Sequence, residues 1–158
     1  MDSERKANIL LVEDNPDEEA MIMRAVRKSG FPCQILVAHT TSEALDYLHR
    51  SEVTPGGSTV KPDVIVTDFR IHPEGGAALV SAVRNDPRTS LIPIVVFSGS
   101  ASEKDIVDLY LRGANSFLEK PLDFDSFCGT IERMASYWGG LNLTPKSFPA
   151  ATSYTALL

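Results

Sequence analysis

Five short segments, most of them unbroken apolar runs, constrain what this chain can fold into more than any other feature. They lie at residues 8–12, 35–37, 64–67, 92–98 and 115–119. Apolar runs of this length without alternation are typical of strands buried on both faces, as in a parallel sheet. Segments with helical signals separate them. This repeated order of strand and helix predicts an α/β fold, with five parallel strands and helices on both faces of the sheet.

The segments between the strands carry the start and stop signals of helices. Asn15 followed by Pro16 predicts a cap and a first helical residue, and Gly30 predicts the end of that helix. Polar capping residues precede three of the other helical segments. Helices are therefore predicted at residues 16–29, from a cap at Ser42 through residue 48, at 76–85, at 103–112 after Ser102, and from a cap at Asp123 to residue 138.

Length and charge limit the classes of function. A chain of 158 residues suits one domain, predicted at residues 1–140, followed by an extension at 141–158 without a fold of its own. The formal charge of −6 argues against a nucleic-acid or anionic-membrane partner, because both attract a basic surface. No apolar run approaches the ~20 residues of a membrane span. Cys33 and Cys128 are interpreted as reduced thiols, so we predict a cytoplasmic protein.

Polar residues follow the predicted strands at the points where the strands end. Glu13 and Asp14 follow the first strand, Asp68 follows the third, Ser98 closes the fourth, and Lys120 follows the fifth. Because the carboxyl ends of parallel strands share one edge of a sheet, we expect these side chains to lie close together. Carboxylates that crowd raise one another's pKa unless a cation compensates. Such oxygen ligands suit Mg²⁺, which we therefore predict as the cofactor.

The same residues suit a phosphoryl group. A cation, the Lys120 ammonium and the Ser98 hydroxyl around one carboxylate match the charge that a phosphoryl group spreads over its oxygens. The Asp68 carboxylate is the candidate nucleophile that forms an acyl phosphate. Taken singly, each residue has an ordinary explanation, such as a solvated turn, a helix cap or a surface lysine. Their arrival together at one edge predicts the site.

Four segments resemble the receiver domain of two-component response regulators. They are L-L-V-E-D-N at residues 10–15, V-T-D at 66–68, V-F-S-G at 96–99 and G-A-N-S-F-L-E-K-P at 113–121. The resemblance covers residues 7–138 and implies a flavodoxin-like receiver fold with strand order 2-1-3-4-5. It also implies a protein that is not an enzyme toward other substrates, with only Mg²⁺-dependent self-phosphorylation and self-dephosphorylation. A sensor histidine kinase is the implied phosphodonor.

The resemblance implies a role for each residue at the edge of the sheet. Asp68 resembles the phosphoacceptor, Asp14 the direct Mg²⁺ ligand and Glu13 a ligand acting through water. The remaining implied roles are a backbone carbonyl ligand to the metal for Arg70, the hydroxyl that follows the phosphoryl group for Ser98, the aromatic switch for Phe117, and the phosphate-pairing lysine for Lys120.

The segment after Asp68 departs from the family pattern. The family usually has Pro four residues after its Asp and Asp-Gly at seven and eight. Here His72 stands at the Pro position and Gly75-Gly76 replaces Asp-Gly. Since Gly76 keeps its place, no insertion is needed, and we expect the path of the loop between Arg70 and Gly76 to differ.

A narrower resemblance concerns a long loop and the end of the chain. Residues 51–61, S-E-V-T-P-G-G-S-T-V-K, exceed the usual length of an α-to-β connection. With the S-Y-W that ends the last helix, this loop is similar to single-domain regulators paired with phytochrome kinases. The likeness implies a phytochrome-type kinase partner and a homodimer through the face of helix 4, strand 5 and helix 5. A tolerated surface insertion is the simpler explanation of the loop.

Three other functions are weighed against phosphoryl acceptance. A receiver-like interaction module independent of phosphorylation is the main alternative, because the loop after Asp68 is unusual. A flavodoxin-type FMN binder would need a phosphate loop after strand one, where E-D-N-P-D-E-E would instead repel phosphate. A haloacid-dehalogenase-like phosphatase would need a second Asp at the position of Arg70.

Overall fold

The computed structural model describes residues 6–50 and 61–145. Five strands alternate with five helices in that part of the chain. The strands are β1 (Ala7–Val12), β2 (Cys33–Ala38), β3 (Val64–Asp68), β4 (Ile94–Ser98) and β5 (Ser116–Glu119). The helices are α1 (Pro16–Ser29), α2 (Thr41–Arg50), α3 (Gly76–Asn85), α4 (Glu103–Arg112) and α5 (Phe124–Ser136), and a π-helical segment, Tyr137–Leu141, continues α5. None of the described helices has the length and apolarity to cross a bilayer.

All strand pairs are parallel, and the order across the sheet is 2-1-3-4-5. The predicted fold class and strand order are therefore confirmed. Successive residues of β1 face opposite sides of the sheet. Leu10 packs in a core with Leu79 of α3, whereas Leu11 packs in a second core with Phe127 of α5. Both faces of the sheet are buried by helices, which explains why the strand sequences lack alternation.

Several predicted boundaries hold, and others shift by one or two residues. Gly30 ends α1 with φ of 70°, as predicted. The prediction that Ser42 caps α2 is wrong: the helix begins at Thr41, and the Thr40 hydroxyl accepts the N–H of Glu43 at 3.1 Å. Strand β4 begins at Ile94 instead of residue 92, because Pro93 has no N–H to donate to a neighbouring strand.

The end of α5 folds back onto the sheet. After Met134, which is buried, the π-helical segment packs against β1 so closely that a Cβ at Gly139 would lie 2.8 Å from Cβ of Ala7. The Thr144 hydroxyl then donates to the Asp63 carbonyl at 3.4 Å. Contacts with the sheet thus continue a few residues past the predicted domain boundary at residue 140. Residues 51–60 of the predicted loop and 146–158 of the predicted extension lie outside the described residues.

Candidate functional site

A cavity of about 710 Å³ opens at the carboxyl edge of the sheet. The turns that follow β1, β3, β4 and β5 form its walls, so every strand end singled out in the sequence contributes a residue to this region. The lining includes Asp14, Glu18, Asp68, Ser98 and Lys120. The four strand ends therefore lie together at one edge of the sheet, as the sequence predicts.

Asp68 is the last residue of β3 and lies at the bottom of the cavity, 8% exposed. One carboxylate oxygen accepts the N–H of Arg70 at 2.8 Å, and the other accepts a hydrogen from Lys120 Nζ at 2.6 Å. Burial alone would raise the pKa of Asp68, but the hydrogen bonds from Lys120 and Arg70 outweigh it and hold the pKa below its ordinary value. Asp68 is consequently ionised at neutral pH, as a nucleophile must be.

Glu13 lies behind Asp68 and is 1% exposed. Its Oε1 accepts the N–H of Asn15 at 3.1 Å. Burial raises the pKa of Glu13 to about 8, and the neighbouring negative charge of Asp68 adds to this rise, against the Asn15 hydrogen bond and the charge of Lys120. In its protonated form Glu13 also hydrogen bonds to Asp68. The pocket by itself therefore does not hold all of its carboxyl groups in the charged form.

Lys120 is the cation that faces this cluster. Its side chain is 9% exposed, and its Nζ lies 2.6 Å from Asp68, 2.7 Å from Glu18 and 3.6 Å from Glu13. Burial alone would lower the pKa of Lys120, but its hydrogen bonds to Asp68 and Glu18 raise the pKa above its ordinary value. One ammonium thus pairs with three carboxyl groups.

Glu18 is the site residue that the sequence patterns did not identify. Asp17, Glu18 and Glu19 stand in the first turn of α1, where acidic residues favour the helix dipole, and that effect alone accounts for their presence. Only the approach of β5 shows that Glu18 contacts Lys120. A signal was nevertheless available, since the first turn after Asn15 and Pro16 begins at the same edge of the sheet.

Asp14 and Arg70 are placed differently from the other predicted residues. Asp14 lies on the wall of the cavity, and its Oδ2 accepts the N–H of His72 at 2.9 Å. The carboxylates whose oxygens lie within 4.8 Å of one another are those of Glu13, Glu18 and Asp68. Arg70 contacts Asp68 through its N–H. The metal-ligand roles of Asp14 and the Arg70 carbonyl stay predictions.

Ser98 and Phe117 lie on the neighbouring strands β4 and β5, and Ser98 lines the cavity. Ser98 is buried, and its hydroxyl donates to the Ser100 carbonyl at 3.0 Å and accepts the Ser100 N–H at 3.3 Å. Phe117 is partly buried against the core beneath α3 and α4, and its N–H donates to the Tyr110 hydroxyl at 3.2 Å. Their predicted roles as hydroxyl and aromatic switch require a change from these contacts and stay predictions.

The donor set of the pocket fits a divalent cation. Three carboxyl groups, those of Glu13, Glu18 and Asp68, offer oxygens within 4.8 Å of one another, and burial together with the negative charge of Asp68 raises the pKa of Glu13 to about 8. Hard oxygen donors in excess of local positive charge are what Mg²⁺ binds in proteins. Glu13 and Asp68 of this set, with Asp14 from the wall of the cavity, are the residues that would hold it, whereas Glu18 is paired with Lys120.

The loop after Asp68 returns to the strand through Gly76. The Gly76 N–H donates to the Phe69 carbonyl at 2.9 Å, and the Gly75 N–H, at φ of 86°, donates to the Ile71 carbonyl at 2.7 Å. Ile71 is buried in the core, and the peptide bond between His72 and Pro73 is cis. The unusual sequence thus forms a hydrogen-bonded turn that holds the backbone of α3 directly against the end of β3.

Residues 9–132 match the family model of the response regulator receiver domain. Among curated proteins, the chain is 36% identical over 137 residues to the probable methanogenesis regulatory protein FilR2 of Methanothrix harundinacea, which covers 87% of this chain and 86% of that protein. It is 23% identical over 146 residues to response regulator Rcp1 of Synechocystis, covering 90% of this chain and 93% of Rcp1.

Solved structures of response regulators are also similar to this chain. The phosphorylated cyanobacterial phytochrome response regulator RcpA superposes with a TM-score of 0.78 at 25% identity, covering 89% of this chain and 99% of RcpA. The Mn²⁺-bound form of Rcp1 superposes with a TM-score of 0.75 at 20% identity, covering 88% and 99% of the two chains. These structures share the fold described above.

Proposed function

This chain belongs to the response regulator receiver domain family, and from that premise we propose that it accepts a phosphoryl group on Asp68 from a sensor histidine kinase. The observation that most directly supports this proposal is the contact between Asp68 and Lys120, 2.6 Å apart at the bottom of an open cavity. The carboxylate is ionised and reachable, and the ammonium that would pair with a phosphoryl oxygen is already in contact. The protein turns over no other substrate in this proposal.

Mg²⁺ is the proposed cofactor. Glu13, Asp14 and Asp68 would hold it, with the Arg70 carbonyl as a further ligand. When bound, the cation supplies positive charge that neutralises phosphoryl oxygens during transfer. The chain itself orients Asp68 through the Arg70 N–H, which donates to one of its carboxylate oxygens at 2.8 Å.

Phosphorylation would change the surface formed by α4, β5 and α5. The new charge at Asp68 would attract the Ser98 hydroxyl away from Ser100 and toward the phosphoryl oxygens, where Lys120 would also pair. Phe117 would move into the space that opens, and α4 would shift with it. This face exposes apolar side chains, among them Val107, Tyr110, Leu111 and Leu122. Their exposure supports the proposal that the face forms a homodimer or binds a partner protein.

The proposed phosphodonor is a phytochrome-type kinase. The likeness to RcpA over nearly the whole chain supports this choice. FilR2, at a higher identity, is a probable methanogenesis regulator, so relatives of this chain are not confined to light signalling.

Phosphotransfer from an autophosphorylated phytochrome kinase is expected within minutes, and transfer from an unrelated histidine kinase within hours. Equal rates from both would contradict the phytochrome pairing. The proposal places the protein with such kinases in the cytoplasm, in keeping with its two free cysteines.

Asp68→Asn tests the central proposal. Incubation with acetyl phosphate and Mg²⁺ should give a shifted band for the wild type in a phosphate-affinity gel and none for Asp68→Asn, because the amide is not a nucleophile. Asp125→Asn is the matched control, since this carboxylate is 91% exposed on α5, lies 3.7 Å from Lys28 and is not part of the cavity lining. It should shift like the wild type.

Two results would count against acceptance at Asp68. A shift of Asp68→Asn equal to that of the wild type would assign the phosphoryl group to another residue. An unshifted wild type, tested also with a kinase donor, would favour the interaction module that acts without phosphorylation.

A further inference from the structure

Glu18 holds the far side of the Lys120 ammonium. Its Oε2 lies 2.7 Å from Nζ, while Asp68 lies 2.6 Å from the same nitrogen. An ammonium has three hydrogens to donate, so these two carboxylates use two of them. Lys120 therefore bridges the bottom of the cavity, at Asp68, and its mouth, at Glu18, which is 36% exposed.

The local structure of α1 fixes Glu18 in this position. The Asn15 side chain caps the helix by accepting the N–H groups of Asp17 at 2.9 Å and Glu18 at 3.3 Å. The next residue, Glu19, points elsewhere and pairs with His39 at 3.0 Å. Two adjacent carboxylates on one helical turn thus have different partners, and only one of them belongs to the site.

Lys120 and a divalent cation would need the same oxygens. Nζ lies close to Asp68 and within 3.6 Å of Glu13, which are the buried carboxylates proposed to hold Mg²⁺. Like charges at such distances repel one another strongly in a partly buried site. The ammonium must then keep another carboxylate as its partner, and Glu18 is the one already in contact on the outer side.

We propose that Glu18 is a positioning residue for Lys120, keeping the ammonium at the mouth of the cavity when a divalent cation occupies Glu13 and Asp68. This inference rests on the proposed function only for the assignment of the cavity as the cation-dependent phosphoacceptor site. With Glu18 present, Lys120 stays ordered and available to a phosphoryl oxygen while the cation is bound. Without it, Lys120 competes with the cation.

The test is Mn²⁺ affinity, measured by titration calorimetry on the full-length protein without a phosphodonor. Glu18→Gln should weaken Mn²⁺ binding by about tenfold, a typical loss when a partner of a ligand set is removed. Glu19→Gln is the matched control: it removes the same charge one residue away, without contact to Lys120, and should bind Mn²⁺ within about twofold of the wild type.

A second measurement separates positioning of Lys120 from a direct action on the cation. In the Mg²⁺-loaded wild type, the ¹⁵N-labelled Lys120 ammonium should give a resolved NMR signal, because it is hydrogen bonded and shielded from water. In Mg²⁺-loaded Glu18→Gln this signal should broaden or vanish. Unchanged Mn²⁺ affinity, or weakened affinity with the signal retained, would overturn the inference. A wild type that binds no cation would instead overturn the proposed cofactor as well.

Discussion

In metal-free buffer, Glu13→Gln is expected to gain stability over the wild type as the pH rises from 5 to 8. Burial raises the pKa of Glu13 from 4.5 to about 8. Between these values the folded wild type keeps a proton that the unfolded chain releases, so the free energy of unfolding falls as the pH rises through this window. Above about pH 8 both states are ionised and the dependence levels off. Glutamine has no titratable proton, so the free energy of unfolding of Glu13→Gln does not undergo this fall.

The size of the effect follows from the difference between the folded-state and unfolded-state pKa of Glu13. A tenfold difference in proton affinity corresponds to about 1.4 kcal/mol, so the stability gap between variant and wild type should widen by roughly 3 to 4 kcal/mol between pH 5 and pH 8. Urea unfolding in the presence of a chelator at three pH values measures it. Contributions from titrating groups that do not interact with Glu13 are common to both proteins and cancel in the difference. The pKa values of Asp68 and Lys120, which do interact with it, lie below and above this pH window.

Glu132→Gln, which removes an exposed carboxylate of α5, controls for the loss of charge and should follow the wild type at each pH. Parallel pH profiles of Glu13→Gln and wild type would show that Glu13 is not held protonated in the folded state. Adding Mg²⁺ at pH 8 should narrow the gap, because a bound cation favours the ionised carboxylate.

Gly76→Ala is expected to destabilise the protein by about 3 kcal/mol, through overpacking of rigid backbone. A Cβ at Gly76 would lie 2.5 Å from the carbonyl oxygen of Asp68 and 3.1 Å from Cα of Phe69. Both atoms belong to main chain that β3 and the following turn hold in place, so neither can move without disturbing the Asp68 carboxylate. The loss should appear in urea unfolding, with reduced acetyl-phosphate labelling of Asp68 under native conditions.

Gly129→Ala is the matched control within α5. A Cβ at this position meets no atom within 4 Å, and alanine favours the helix interior over glycine by up to about 1 kcal/mol. The same substitution should therefore stabilise the protein at one position and destabilise it at the other. Equal stabilities of the Gly76→Ala and wild-type proteins would mean that the turn after Asp68 relaxes easily.

Local sequence signals identified the elements well where one short segment contains the whole cause. The Asn15-Pro16 start of α1 and the Gly30 end depend only on neighbouring residues, and both are present. The cap of α2 was misassigned because Thr40, Thr41 and Ser42 offer three successive hydroxyls, and only the folded chain shows that Thr40 accepts the Glu43 N–H. The 2-1-3-4-5 order came from family resemblance, since strand patterns do not specify neighbours.

The chain determined, through its own residues, that Glu13, Asp14, Asp68, Ser98 and Lys120 would reach one edge of a parallel sheet. That inference depends only on where the strands end. The strand ends can be located in the sequence because strands buried on both faces are apolar runs. The tertiary structure decided which of these groups touch. Lys120 reaches Glu18 across 102 residues of sequence, and the backbone of His72 holds Asp14 at the wall. Such contacts depend on distances of a few ångströms between separate turns, and no local pattern contains them.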